Sequence, residues 1–101
     1  MLILLPLDGK EVEEAQLVNL DKVGAWGLVD LQEGKIQKVD FFDDWQEIEE
    51  FFECVVVVSQ DDDIAAFVED SIPVLEAQMQ RSIDDVMEAY LFRELYEVIS
   101  E

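Results

Sequence analysis

The chain has 101 residues, 50% of them hydrophobic, and sets 26 Asp and Glu against 6 Lys and Arg for a net charge of -20, with no histidine and one cysteine. That length suits one domain spanning residues 1–101, able to bury roughly 60 to 70% of its unfolded surface without a disulfide staple. So acidic a chain repels nucleic-acid backbones and anionic lipid, which removes nucleic acid and membrane from the expected partners and leaves basic proteins or cations; without histidine, no Ser-His-Asp set can form.

Met1-Leu-Ile-Leu-Leu-Pro-Leu7 has no basic residue before it and is ended by Asp8, so it reads as a first strand rather than a leader, and a cytoplasmic protein is expected. Two strand-like runs follow, Gly24-Ala-Trp-Gly-Leu-Val-Asp-Leu31 and Lys35-Ile-Gln-Lys-Val-Asp-Phe-Phe42. Gln32-Glu-Gly-Lys35 joins them, and Gly34 can supply the positive φ of a tight hairpin. Asp43-Asp44 offers an Asp for the N-cap, and with Trp45, Ile48, Phe51 and Phe52 at helical spacing it predicts a short helix over Asp43 to Phe52.

Val55 to Val58 are four β-branched residues in a row, which predicts a strand buried on both faces, and Ser59-Gln-Asp-Asp-Asp63 is its exit into a helix marked by Ile64, Phe67 and Val68. Cys54, directly before the valines and without a partner in the chain, reads as a small buried residue in a reducing compartment. Ile72-Pro-Val-Leu75 is a short strand placed at a sheet edge, because Pro73 cannot donate to a ladder. Ser82-Ile-Asp-Asp85 caps a last helix whose apolar stripe is Ile83, Val86, Met87, Tyr90, Leu91 and Leu95. The order predicts an α/β fold: a five-stranded mixed sheet, order 3-2-1-4-5, with helices on its faces. Val56, Val58, Leu28, Phe51, Phe67, Val86 and Tyr90 are expected to share one hydrophobic cluster.

The element order and several local runs resemble the dinitrogenase iron-molybdenum cofactor biosynthesis family. The runs are Leu2-Ile-Leu-Leu-Pro-Leu-Asp8, Trp26-Gly-Leu-Val-Asp30, Glu33-Gly-Lys-Ile36 and Ser82-Ile-Asp-Asp-Val-Met-Glu-Ala-Tyr-Leu91, which together span nearly the whole chain. The resemblance implies a three-layer ribonuclease H-like fold that binds or carries an iron-molybdenum or iron-sulfur cluster. It also implies a Ser-x-His-Phe-Gly-Arg-like run before the second strand, with the histidine as the cluster ligand. The matching run here is Leu17-Val-Asn-Leu-Asp-Lys22, so Asn19 stands at the histidine position and Lys22 at the arginine position. These two are the cofactor-binding positions the resemblance points to, and with no imidazole available no cofactor is expected to be held in the usual way.

Family members also carry a Gly-rich turn after the fourth strand, whose amides can cradle an anion. The matching turn here is Ser59 to Asp63. A helix terminus favours an anion by typically 0.3 to 1 kcal/mol, whereas each carboxylate at about 4 Å opposes it by about 1 kcal/mol even in water. Repulsion should win at this turn. The expected function is a non-enzymatic accessory or binding module of the family, with cluster binding lost or altered and a protein partner, basic in character. The alternative is a divalent-metal-dependent phosphoryl-transfer enzyme using Asp8 and Asp61, Asp62 or Asp63, which requires the first and fourth strands to be neighbours. Against it, Lys10, Lys22, Lys35, Lys38, Arg81 and Arg93 are few and scattered for gripping a nucleic-acid substrate. Trp26 and Trp45 fall on apolar faces, where core packing is the expected role.

Overall fold

The computed structural model describes residues 1–59 and 62–98. Strand β1 (Leu2–Leu7) lies inside the sheet, as its unbroken apolar run requires. It pairs antiparallel with β2 (Ala25–Gln32), from Leu2 opposite Asp30 to Leu7 opposite Ala25, and parallel with β4 (Cys54–Val57) through Ile3 opposite Cys54 and Leu4 opposite Val55. β2 turns back into β3 (Lys35–Phe42) through Glu33 and Gly34, both at positive φ (54° and 78°), the backbone that a two-residue primed turn needs. Asp30 faces Lys38 but Leu31 faces Ile36, so Gln37 is an extra residue bulged out of β3.

The sheet has six strands in the order β3-β2-β1-β4-β5-β6, not five. β5 (Val74–Glu76) is therefore interior: it runs parallel to β4 and antiparallel to β6 (Tyr96–Val98). Pro73 misleads because it lies just before the strand, where only its carbonyl is used, accepting from the Val55 N–H at 3.0 Å.

The segment from Asp43 to Phe52 forms no α-helix. It makes a single 3₁₀ turn over Trp45–Glu47, opened by the Asp44 carboxylate, which accepts from the Gln46 N–H at 2.9 Å. A helix here would stack Asp43 on Glu47 and Glu49 on Glu53 at i,i+4, and Glu47 on Glu50 at i,i+3, with no cation between them, a destabilising pattern. In the looser path Phe52 turns inward and Phe51 outward, 84% exposed, which removes Phe51 from the core.

Both α-helices end at a non-glycine residue of positive φ, and the second stops earlier than its apolar stripe suggests. Helix α1 (Ala65–Glu69) ends with Ser71 at φ 60°, and α2 (Ile83–Leu91) with Arg93 at φ 58°. In α2 the Glu94 N–H donates to the Ala89 carbonyl (2.8 Å) and the Arg93 N–H to that of Tyr90 (3.2 Å); in α1 Ile72 bonds Phe67 and Ser71 bonds Val68 in the same way. These are Schellman motifs built without glycine. Beyond Arg93 the chain is free to become β6, and Leu95 belongs to that exit, not to the helix. Arg93→Gly is expected to raise the unfolding free energy by roughly 0.5 to 1 kcal/mol, because a side chain in the left-handed region is disfavoured; urea denaturation of the variant beside the parent protein measures it.

The sheet divides the core in two. On one face α2 buries Ile83, Val86 and Met87 against Ile3, Leu5, Val29, Cys54 and Val56, with Val58 and Tyr90 packed at the margin. On the other, Phe67 from α1 meets Leu4, Leu28, Val55, Val57 and Phe52, flanked by Trp26 and Trp45. The single cluster expected from sequence is thus two, one helix to each face. None of the described helices is long and apolar enough to cross a membrane.

Candidate functional site

The C-terminal ends of the parallel strands β1 and β4 and the start of β2 meet at one end of the sheet. β2 begins close against β1: the Gly24 N–H donates to the Leu7 carbonyl at 2.8 Å, and a Cβ at Gly24 would stand 2.5 Å from the Asp8 carbonyl oxygen, so only glycine fits there. Just before Gly24, a 3₁₀ turn over Leu20–Lys22 brings the loop that precedes β2 to this end. The exit of β4 arrives from the other side. Asp62 joins the two: its Oδ1 accepts from the Asn19 Nδ2 at 2.9 Å and its Oδ2 from the Leu20 N–H at 3.3 Å.

These loops enclose an open cleft of about 700 Å³, lined by Asn19, Lys22, Asp62 and Asp63 on its polar side and by Trp26, Trp45 and Phe67 on its aromatic side. Phe67 is the buried centre of that wall, 2% exposed. Its ring centroid lies 4.7 Å from that of Trp45 and 6.0 Å from that of Trp26, the latter edge-on. The tryptophans are half-buried, so each both packs on the core and lines the cleft. Asp21 adds a third carboxylate beside Lys22, which makes the lining net negative. Asp63, one residue ahead of the Ile64 N-cap of α1, accepts from the Ala65 N–H at 3.3 Å.

Asn19 and Lys22, the positions the resemblance pointed to, therefore do line one cleft. Asp62 was singled out only as one acid of a run; its bond to Asn19, across 43 positions of sequence, leaves no local pattern to find. The aromatic wall was visible as residues but read as core alone, because a half-buried tryptophan and a buried one have the same spacing in sequence.

Asp8 lies elsewhere. β1 and β4 are neighbours, as the phosphoryl-transfer reading required. Even so, the Asp8 carboxylate accepts from the Gln16 N–H at 2.9 Å and borders a separate depression with Gly9, Glu11 and Glu14, apart from Asp62 and Asp63. Asp61, the remaining candidate, lies outside the described residues. Among those described, no three Asp, Glu or Cys side chains gather closely enough to hold a metal ion.

Cys54 is 4% exposed on the α2 face of the sheet, on the opposite side from the aromatic wall. Burial, and then the charge of Glu53, push its thiol up to about 12. It is a core residue and not a cleft ligand.

No protein-family model matches the chain, and no curated protein matches it by sequence. Solved structures do share its fold. One is a Methanocaldococcus jannaschii protein provisionally assigned as a dinitrogenase (mj0327), with a TM-score of 0.73 at 13% identity, covering 100% of this chain and 97% of its own. Another is PH0822, with a TM-score of 0.67 at 13% identity, covering 99% and 96%. At that identity the likeness is one of fold: an α/β architecture around a mixed sheet, matched end to end.

Proposed function

We propose that this chain is a non-enzymatic accessory or binding module of the dinitrogenase iron-molybdenum cofactor biosynthesis family, ribonuclease H-like in fold, whose cleft no longer takes an anionic metal cluster. The end-to-end likeness to a protein provisionally assigned as a dinitrogenase supports the family role. The observation that carries the loss of cluster binding is the Asp62 carboxylate fixed beside Asn19, from whose Nδ2 it accepts at 2.9 Å. Where the resemblance implies a ligating imidazole, this chain has a neutral amide, a weak ligand for such centres, with an anion held next to it.

The donor set does not fit the cluster. Iron and molybdenum sulfide centres favour thiolate and imidazole ligands, whereas the cleft presents an amide, an ammonium and carboxylates, with the lone thiol on the far face of the sheet. Asp21, Asp62 and Asp63 oppose a net negative cargo by about 1 kcal/mol each at 4 Å in water, more where solvent is thinner, against a single Lys22. Protein association is then the role left to the cleft end of the molecule, and the net charge of -20 selects basic partners.

Anaerobic incubation with the iron-molybdenum cofactor, then gel filtration and metal analysis, tests this reading. The unaltered protein should elute without stoichiometric iron or molybdenum, while Asn19→His should gain binding. Stoichiometric cluster on the unaltered protein would defeat the proposal.

A further inference from the structure

The cleft combines two features. It has an aromatic wall of two half-buried tryptophans around Phe67, and a rim with Asp21, Asp62 and Asp63 against Lys22. An indole face attracts a cation through its quadrupole, more strongly than tyrosine or phenylalanine does. Carboxylates beside it supply charged acceptors; Asp62 still has lone pairs beyond those used by Asn19 and Leu20. A flat cation with several donors answers both features at once, stacking on the indole while its N–H groups fork into a carboxylate. A compact ammonium can do only the second well.

We infer that this cleft is a docking site for an arginine side chain presented by a basic protein segment. The inference rests on the binding-module reading above and names the partner's chemistry. A polypeptide, not a small cation, is the occupant because the cleft is open and, at about 700 Å³, far larger than a guanidinium, while the attraction extends over a molecule of net charge -20. The cleft holds the anchor and the surrounding acids steer the chain that carries it.

The chain's two tryptophans both line the cleft, so its intrinsic fluorescence reports this site directly. The experiment titrates the intact protein with four probes: a lysine-rich heptapeptide with one central arginine, the same peptide with citrulline at the centre, N-acetylarginine amide, and inorganic phosphate. The arginine peptide should give a saturable change, at least tenfold tighter than the citrulline peptide and than N-acetylarginine amide. It should weaken at least tenfold in the double variant Asp21→Asn, Asp63→Asn, which keeps the Asn19 to Asp62 bond and an acceptor oxygen for the Ala65 N–H. Equal binding of the citrulline peptide, or of N-acetylarginine amide, would overturn the inference. Silence with all four probes would overturn it while leaving the cluster-loss reading intact, and a saturable response to phosphate would overturn both.

Discussion

Replacing Phe67 by alanine is expected to lower the unfolding free energy by about 3 to 5 kcal/mol, the range for deleting a buried aromatic ring. Phe67 is 2% exposed and is the ring on which both Trp26 and Trp45 rest. Its loss removes apolar burial and two aromatic contacts together, and α1, only five residues long, has no second buried side chain with which to hold the sheet. Chemical denaturation followed by far-ultraviolet circular dichroism measures the change. A loss below about 1 kcal/mol would mean that the aromatic wall is not the anchor of that face.

Alkali should weaken the protein through Cys54. The unfolded thiol loses its proton near 9.0, whereas burial holds the folded one to about 12. Between those values the unfolded chain binds fewer protons than the folded one, so stability falls as pH rises, by about 1.4 kcal/mol per pH unit. The contribution is fully present below pH 9.0 and is lost progressively up to about 12. Tyr90, raised by burial first and then by Cys54 and Glu53, acts in the same direction. From pH 9 to 11 the parent protein should lose about 2 to 3 kcal/mol more than Cys54→Ala, as read from denaturation midpoints at each pH. Parallel pH profiles for the two proteins would show that the thiol is not held neutral by the core.

The parts of this fold that announce themselves in sequence are those whose local chemistry and tertiary role agree. The runs at Leu2–Leu7 and Cys54–Val57 are apolar on both faces because both faces are covered, and Ser82 caps α2 as its position suggests, accepting from the Asp85 N–H at 3.1 Å. The Gly34 turn and its hairpin follow from the same agreement. Where the expectations failed, a local signal was missing or double-valued. Arg93 takes the left-handed conformation normally marked by glycine, so nothing in the sequence ended α2 before Leu95, and β6 beyond it went unread. Pro73 was read as an edge because a proline just before a strand and one within an edge strand look alike. Phe51 and Phe52 are adjacent and equally apolar; only the path of the chain over the sheet decides which is buried.

The cleft was legible in part. Asn19 and Lys22 came from a resemblance that compares positions, which is why it located the loop and yet gave no hint of what the loop touches. The Asp62 carboxylate and the two tryptophans complete the site through contacts made only when β1, β2 and β4 lie side by side. A long-range polar contact of this kind has no periodicity from which to be read.

The account turns on the Asn19 side-chain amide being held by Asp62, and its exchange with water is the measurement that reaches this most directly. In ¹⁵N-labelled protein, the Asn19 Nδ2 protons should exchange more slowly than those of the exposed Gln37 side chain, and Asp62→Ala should abolish the difference. Exchange at Asn19 as fast as at Gln37, unchanged by Asp62→Ala, would contradict the account.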